Sequence, residues 1–114
     1  MTEQTRAAIT THILDLDSGF PAVGLEVNLL SPDGKLKLLA TSDSNGRIEQ
    51  WSQEFALQSG QWQLIFLVEH WFKSKNKSSF FNDIHIAFRA ELGQGHYHVP
   101  LLLNAYGYST YRGS

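Results

Sequence analysis

Two histidines separated by a single residue, His96 and His98, are the side chains of this 114-residue sequence that most directly suggest chemistry. Side chains two positions apart on a β-strand point to the same face, so both imidazoles would leave one surface together. Val99 is the natural core residue of this segment, which would turn the two histidines outward. His12 precedes Ile13 in a second segment of the same kind, and its ring would face outward by the same argument. The sequence therefore predicts imidazoles from two strands on the outside of the fold.

Three kinds of site could use these imidazoles. A His-x-His pair can offer two nitrogens to Zn²⁺, but the sequence supplies no convincing further ligand beyond His12. Serine nucleophile chemistry lacks a Gly-x-Ser-x-Gly turn, and neither Ser109 nor Ser114 has an obvious aspartate partner. General acid–base catalysis needs groups that titrate near neutrality and a cation for developing negative charge, which Arg47 could supply. The residue types also allow a fourth interpretation, in which each is an ordinary surface side chain.

Composition narrows the classes of protein to be considered. Nine Lys and Arg against eleven Asp and Glu give a formal net charge of −2, so no overall positive field attracts nucleic acid or an anionic membrane. The chain has no cysteine, which excludes disulfides and thiolate sites. No segment approaches the ~20 apolar residues of a membrane-spanning helix, and the first residues do not resemble a signal peptide. We therefore expect a cytoplasmic protein without nucleic-acid or membrane partners.

Short strands must position these side chains. Alternating apolar and polar residues, separated by turn sequences, predict eight strands. They cover residues 9–16, 23–30, 35–41, 47–51, 60–68, 84–89, 96–103 and 106–111. Residues 69–75 have an acidic start and a lysine-rich end, which predicts one short helix. About eight short strands in one domain predict an all-β fold, an antiparallel two-sheet β-sandwich.

Four segments, in this order, resemble the 5-hydroxyisourate hydrolases of the transthyretin-like family. They read THILDLDSGFPAVGLEVNLL, TSDSNGRI, SSFFNDIHIAF and HYHVPLLLNAYGYSTYRGS. The resemblance covers residues 8–114 and predicts a single sandwich domain there, with residues 1–7 as a short N-terminal segment. Transthyretin itself has the same sandwich but carries thyroid hormone. It has lysine, glutamate and threonine where this chain has His12, Arg47 and His98, so the resemblance is to the hydrolases.

The resemblance implies which residues act. Catalytic roles would fall to His12, Arg47 and His98, with the histidines moving protons and the arginine stabilising oxyanion charge. Asn45 stands where the family usually has aspartate, next to the turn that carries Arg47. Residues 104–105 read Asn-Ala where many members have Ser-Pro. The implied substrate-binding residues are His12, Arg47, Ser109, Tyr111 and Ser114.

The implied reaction is hydrolysis of 5-hydroxyisourate to 2-oxo-4-hydroxy-4-carboxy-5-ureidoimidazoline in urate (purine) breakdown. Water would attack a ring carbonyl without a metal ion or organic cofactor. The implied assembly is a homotetramer, a dimer of dimers, with active sites in the channel where the dimers meet. Two other classes would use the same fold: a small-molecule carrier that binds without turnover, and a structural or partner-binding sandwich.

Overall fold

The computed structural model describes residues 6–114, which form two β-sheets and one helix, α1, at Val68–Ser74. Most of the predicted N-terminal segment, residues 1–7, lies outside the described residues. In this range the strands are β1 Ile9–Asp15, β2 Phe20–Pro21, β3 Glu26–Leu30, β4 Lys37–Thr41, β5 Arg47–Ile48, β6 Gly60–Phe66, β7 Ile84–Ala90, β8 Tyr97–His98, β9 Leu101–Asn104 and β10 Gly107–Thr110. The helix predicted at residues 69–75 is confirmed, and within residues 6–114 no helix is long and apolar enough to cross a membrane.

One sheet is regular and antiparallel, in the order β4-β3-β6-β7. Strands β6 and β7 pair along their whole length, from Gly60 opposite Ala90 to Phe66 opposite Ile84. Alternate residues of β6 are buried, as a strand with one face on the core requires. In this sheet β3 and β4 are consecutive in the sequence, and so are β6 and β7. The two pairs are joined where β3 lies next to β6.

The other sheet is organised around β1. Its main order is β10-β9-β1-β2, and β5 and β8 also pair with β1. Strand β1 is antiparallel to β2 and β5 but parallel to β8 and β9. The predicted two-sheet antiparallel sandwich is confirmed, with these parallel pairings as a local exception. Parallel neighbours cannot be joined by a tight turn, so β1 meets strands from far along the chain.

The segment predicted as one strand at residues 96–103 forms two strands, β8 and β9. Pro100 lies between them, and a proline has no N–H to donate to a β-ladder. Both pieces nevertheless pair with β1, so the interruption changes the ladder without changing the neighbour.

The strand predicted at residues 23–30 begins later than expected, as β3. The Leu25 N–H donates to the Ser42 hydroxyl at 2.9 Å, which takes it out of the strand ladder. Val23, which alternation along the predicted strand would place on the core face with Leu25, Val27 and Leu29, is 48% exposed. The remaining residues of that face are buried as predicted.

The core lies between the two sheets and is closed at one end by α1. The largest fully buried side chains of the core are Ile9, Ile13, Leu25, Leu29, Leu38, Ile48, Trp62, Leu64, Phe66, Phe72, Ile84 and Leu101. Full burial of one large apolar side chain stabilises a fold by roughly 1.5–3 kcal/mol.

Candidate active site

The outward face of β1 brings four side chains together. Ile13 is fully buried in the core, so Thr10 and His12 take the opposite face of the strand. His12 is paired in register with Arg47 of β5, and Thr10 with His98 of β8. Paired residues of adjacent strands point to the same side of a sheet. Three strands thus place two imidazoles, a guanidinium and a hydroxyl on one surface.

The Thr10 hydroxyl contacts both imidazoles of the predicted outward pair, His96 and His98. Its Oγ1 is 2.7 Å from Nδ1 of His98 and 3.0 Å from Nε2 of His96. The two rings stack with centroids 6.2 Å apart and planes 19° from parallel. This confirms that His96 and His98 share a face, and it fixes both rings against the same buried hydroxyl.

His12 is held by the turn that precedes β5. Its Nε2 lies 2.9 Å from the main-chain oxygen of Asn45. A carbonyl oxygen only accepts, so Nε2 must carry a hydrogen and donate it, which leaves Nδ1 for other partners. Because the contact uses the main chain of Asn45, it does not depend on the side chain at that position.

The turn itself is built to place Arg47 rigidly. The Asp43 carboxylate accepts from the main-chain N–H of Asn45 at 2.8 Å and of Arg47 at 3.0 Å. Gly46 has φ +74°, and a Cβ there would lie 2.5 Å from the main-chain oxygen of Ile13. Glycine is therefore required for this turn to reach β1, and the predicted glycine turn before Arg47 is confirmed.

Burial and nearby charges disfavour the protonated form of His98. Burial lowers the pKa of the His98 imidazole below its ordinary value of 6.5, and the Arg47 cation lowers it further. His96, His12 and Arg6 act in the same direction. An imidazole that is neutral at neutral pH has a lone pair ready to accept a proton. Within residues 6–114, Nε2 of His98 makes no hydrogen bond.

The residues after β10 return to cover His98. The Gly113 N–H donates to the main-chain oxygen of His98 at 2.7 Å, and the two residues form a β-bridge. A Cβ on Gly113 would lie 2.6 Å from Cδ2 of the His98 ring and 3.1 Å from Cγ of Pro100. The backbone of Gly113 thus lies directly on the His98 imidazole. Ser114 follows Gly113 in the chain.

The other predicted substrate-binding residues lie elsewhere in the single chain. Tyr111 is 56% exposed and lines an apolar cleft of about 310 Å³ with Phe88 and Tyr97, on the side of β8 opposite His98. Ser109 is paired with Leu102 and faces the same side of the sheet as His12, on the outermost strand. The structure therefore brings His12, Arg47 and His98 together and does not bring Tyr111 beside them.

Two contributors were not singled out from the sequence. Thr10 could have been noticed, since it lies two positions before His12 and must share its face. Gly113 carries no such signal, because its contact with His98 depends on how the last segment folds back. In the part of the chain that the structure describes, no group of three or more His, Cys, Asp or Glu side chains could hold a metal ion.

Known proteins resemble this chain in sequence and in fold. The sequence model of the HIUase/Transthyretin family matches residues 9–113. The 5-hydroxyisourate hydrolase of Salmonella typhimurium is 43% identical over 109 residues, which cover 93% of this chain and 80% of that protein. The structure of Klebsiella pneumoniae 5-hydroxyisourate hydrolase matches with a TM-score of 0.82 and 36% identity, covering 93% of this chain and 98% of that one.

A second solved structure shares the architecture at lower sequence identity. Sea bream transthyretin in complex with thyroxine matches with a TM-score of 0.85 over 94% of this chain and 95% of that chain. Its sequence identity is 22%, so this likeness concerns the fold alone.

Proposed function

This chain belongs to the HIUase/transthyretin family, and we propose that it hydrolyses 5-hydroxyisourate to 2-oxo-4-hydroxy-4-carboxy-5-ureidoimidazoline. Relatives named as hydrolases of this substrate support the activity. The observation that carries the mechanism is the cluster of His12, Arg47 and His98 on one outward face. The cluster offers a base, a cation and a proton donor, which are the groups that hydrolysis of a cyclic amide-type C–N bond requires.

His98 takes the role of base in this proposal. Its Nδ1 is bonded to Thr10, so Nε2 is the nitrogen that can remove a proton from water when Nδ1 carries the ring hydrogen. The water oxygen forms a bond to the ring carbonyl carbon as that proton moves to Nε2. A lowered pKa increases the fraction of His98 that is in the active, unprotonated form near neutral pH.

Arg47 stabilises the negative charge that collects on the former carbonyl oxygen. Its guanidinium presents donors in a planar fork, which suits a carbonyl or an oxyanion better than the point charge of an ammonium group. Its partly buried position beside His12 makes that charge more effective than it would be in free solution.

His12 delivers a proton to the leaving ring nitrogen as the C–N bond breaks. Its Nε2 is committed to the Asn45 oxygen, so Nδ1 is the nitrogen from which the proton would be delivered. The proton that His98 gains from water and the one that His12 loses leave the site with no net change of charge. No step needs a metal ion or cofactor, and we expect a chelator to leave the activity unchanged.

A homotetramer, as a dimer of dimers, completes the proposal. The face that carries the cluster is open in a single chain, whereas ligand sites are concave. A second copy facing it would convert this surface into a cleft, with Ser109 and Ser114 contributing to substrate binding around it. Tyr111, which lies on the other side of β8 in the single chain, would contribute only from a neighbouring subunit of the tetramer. Sedimentation should give the mass of four chains.

The test is direct. 5-Hydroxyisourate is generated in situ from urate, and its ultraviolet decay is followed with and without this protein. Faster decay supports the hydrolase, and an unchanged decay at micromolar protein overturns it. Binding of the substrate or of thyroxine without turnover would indicate a carrier instead.

A further inference from the structure

The Thr10 hydroxyl is shared by two imidazole nitrogens in a place that solvent barely reaches. Thr10 is 2% exposed, and its Oγ1 contacts Nδ1 of His98 at 2.7 Å and Nε2 of His96 at 3.0 Å. Both distances are those of hydrogen bonds. With so little water nearby, an unsatisfied hydroxyl or ring nitrogen here would be costly, so both bonds should be kept.

Counting hydrogens shows what sharing implies. A hydroxyl has one hydrogen, so Thr10 can donate to one ring only and must accept from the other. If Thr10 donates to His98, then His98 carries its own hydrogen on Nε2, and His96 donates from its Nε2. If Thr10 donates to His96, then His98 donates from Nδ1, and its Nε2 is a bare lone pair.

We infer that Thr10 is a positioning residue that couples the tautomer of His98 to that of His96 and thereby sets whether Nε2 of His98 can act as a base. The inference rests on the hydrolytic function proposed above. In the reactive arrangement His98 donates from Nδ1 to Thr10, and Thr10 donates to His96. When Nε2 then takes a proton from water, the bond from Nδ1 to Thr10 is already in the direction that the imidazolium needs.

The surrounding charges act on both rings in the same direction. The cations near His98 are Arg47 and Arg6, with the His12 ring beside them; near His96 they are Arg6 and Arg112, opposed by Glu49. Burial and this cationic excess lower the pKa of both rings. Both rings are therefore disfavoured as imidazoliums at rest, and a second proton on the pair would break one of the two bonds to Thr10.

The experiment uses two neighbouring threonines of the same strand. Thr10→Val removes the shared hydroxyl and keeps the side-chain shape. Thr11→Val is the matched control, because the buried Thr11 hydroxyl donates to the main-chain oxygen of Val99 at 2.7 Å and touches no imidazole. Thr10→Ser restores the hydroxyl. Each protein is assayed for kcat and KM across pH.

We expect Thr10→Val to lower kcat by about 10- to 100-fold, the range for losing a group that orients a functional histidine, with little change in KM. The acidic limb of its pH–rate profile, where activity falls as His98 becomes protonated, should move to lower pH, because the His98 imidazolium loses its hydrogen-bond acceptor. Thr10→Ser should recover most of the rate. Thr11→Val should lose stability and keep both the rate and the limb. Equal behaviour of the Thr10→Val and Thr11→Val proteins would overturn the inference.

A second readout does not depend on turnover. Long-range proton–nitrogen spectra of the ring nitrogens report the tautomer of each histidine. In the unaltered protein the neutral rings should match, both with hydrogen on Nε2 or both on Nδ1, whereas in Thr10→Val each ring sets its tautomer independently of the other. Unmatched rings in the unaltered protein would refute the coupling. If the unaltered protein failed to hydrolyse 5-hydroxyisourate but kept matched rings, the proposed function alone would fall.

A further variant covers the case in which Thr10→Val does not fold. His96→Phe keeps a ring to stack on His98 and removes the nitrogen that faces Thr10. The His98 tautomer should then shift relative to the unaltered protein, and an unshifted tautomer would count against the inference.

Discussion

His85 and His98 look alike in the sequence and occupy very different surroundings in the fold. Each lies on a strand between residues that face the core, so each is directed outward. His85 is exposed on the regular sheet, where its register partner is Ile65 of the neighbouring strand. His98 is half-buried, bonded to Thr10 and covered by Gly113.

The difference between them is the number of chain segments that meet. On the regular sheet an outward side chain has the flanking strands beside it and solvent above it. Around β1, four short strands and a returning segment converge, so that outward side chains acquire partners above as well as beside them. In this molecule an outward polar side chain acquires hydrogen-bond partners where several strands meet, as they do around β1.

The largest difference between the two histidines should appear when each side chain is removed in turn and the activity is measured. His98→Ala should lower turnover by roughly 10²- to 10⁴-fold, the range for losing a general acid or base. His85→Ala, the matched variant on the regular sheet, should leave turnover unchanged. Steady-state rates in the 5-hydroxyisourate assay provide the measurement, and circular dichroism checks that both variants fold. Similar rates for the two variants would remove His98 from the mechanism.

Arg47 and Arg89, one on each sheet, extend the comparison. Arg47→Lys should lower kcat/KM by roughly 10²-fold, the lower end of the effect of losing one oxyanion donor, because ammonium lacks the planar fork. Arg89→Lys on β7, an exposed position of the regular sheet, should have no effect. If lysine serves as well as arginine at position 47, only the positive field matters there.

Glycines provide a smaller perturbation. Gly113→Ala should lower kcat/KM by about 10-fold, because the new Cβ would push the His98 ring from its position. Gly107→Ala is the control, since its Cβ would make an ordinary contact 3.6 Å from Oδ1 of Asn104. Kinetics and thermal melting of both proteins separate an effect on the ring from a general loss of stability. Full activity of Gly113→Ala would mean that the ring is not held by this contact.

The pH profile should show the smallest change. A base must be unprotonated, and the pKa of His98 is lowered by burial and by Arg47, so the acidic limb of kcat/KM should lie below pH 6.5. Arg47→Gln removes a positive charge, which should raise the pKa of His98 and move the limb to higher pH. Profiles of residual activity over pH 4.5–8 would check this. If the acidic limb of Arg47→Gln stays at the same pH, the limb reports the titration of a group other than His98.

The same shift has a consequence for stability. The unfolded chain binds a proton at His98 more readily than the folded one does, so stability should fall as pH drops through 6.5 and level off below the folded pKa. Denaturant titrations of the His98→Gln variant should show a shallower decline. An identical decline in both proteins would contradict the burial of a neutral ring.

Local features of the site could be predicted from the sequence, and distant contacts could not. The outward direction of His12 follows from strand alternation, and the placement of Arg47 follows from the Asn-Gly turn, because both depend on adjacent residues. The pairing of Thr10 with His98 depends on the register of parallel strands 88 positions apart, which packing of the whole sandwich decides.

Alternation was also extended too far at the end of β10. The strand predicted at residues 106–111 would place Ser109 and Tyr111 on one face. Strand β10 ends at Thr110, so Tyr111 lies beyond the regular ladder and alternation no longer fixes its direction. Periodicity is informative only while the hydrogen-bonded ladder continues.

The central place of β1 has a consequence for synthesis on the ribosome. Thr10 and His98 are 88 positions apart, so at about 5–20 residues per second one emerges roughly 4–18 s before the other. The turn that bears Arg47 arrives much earlier and can dock on His12 while β8 and β9 are still unmade. For those seconds β1 has an open edge beside apolar residues, a template for pairing with other chains. We therefore expect the nascent protein to need shielding until its last strands close the sheet.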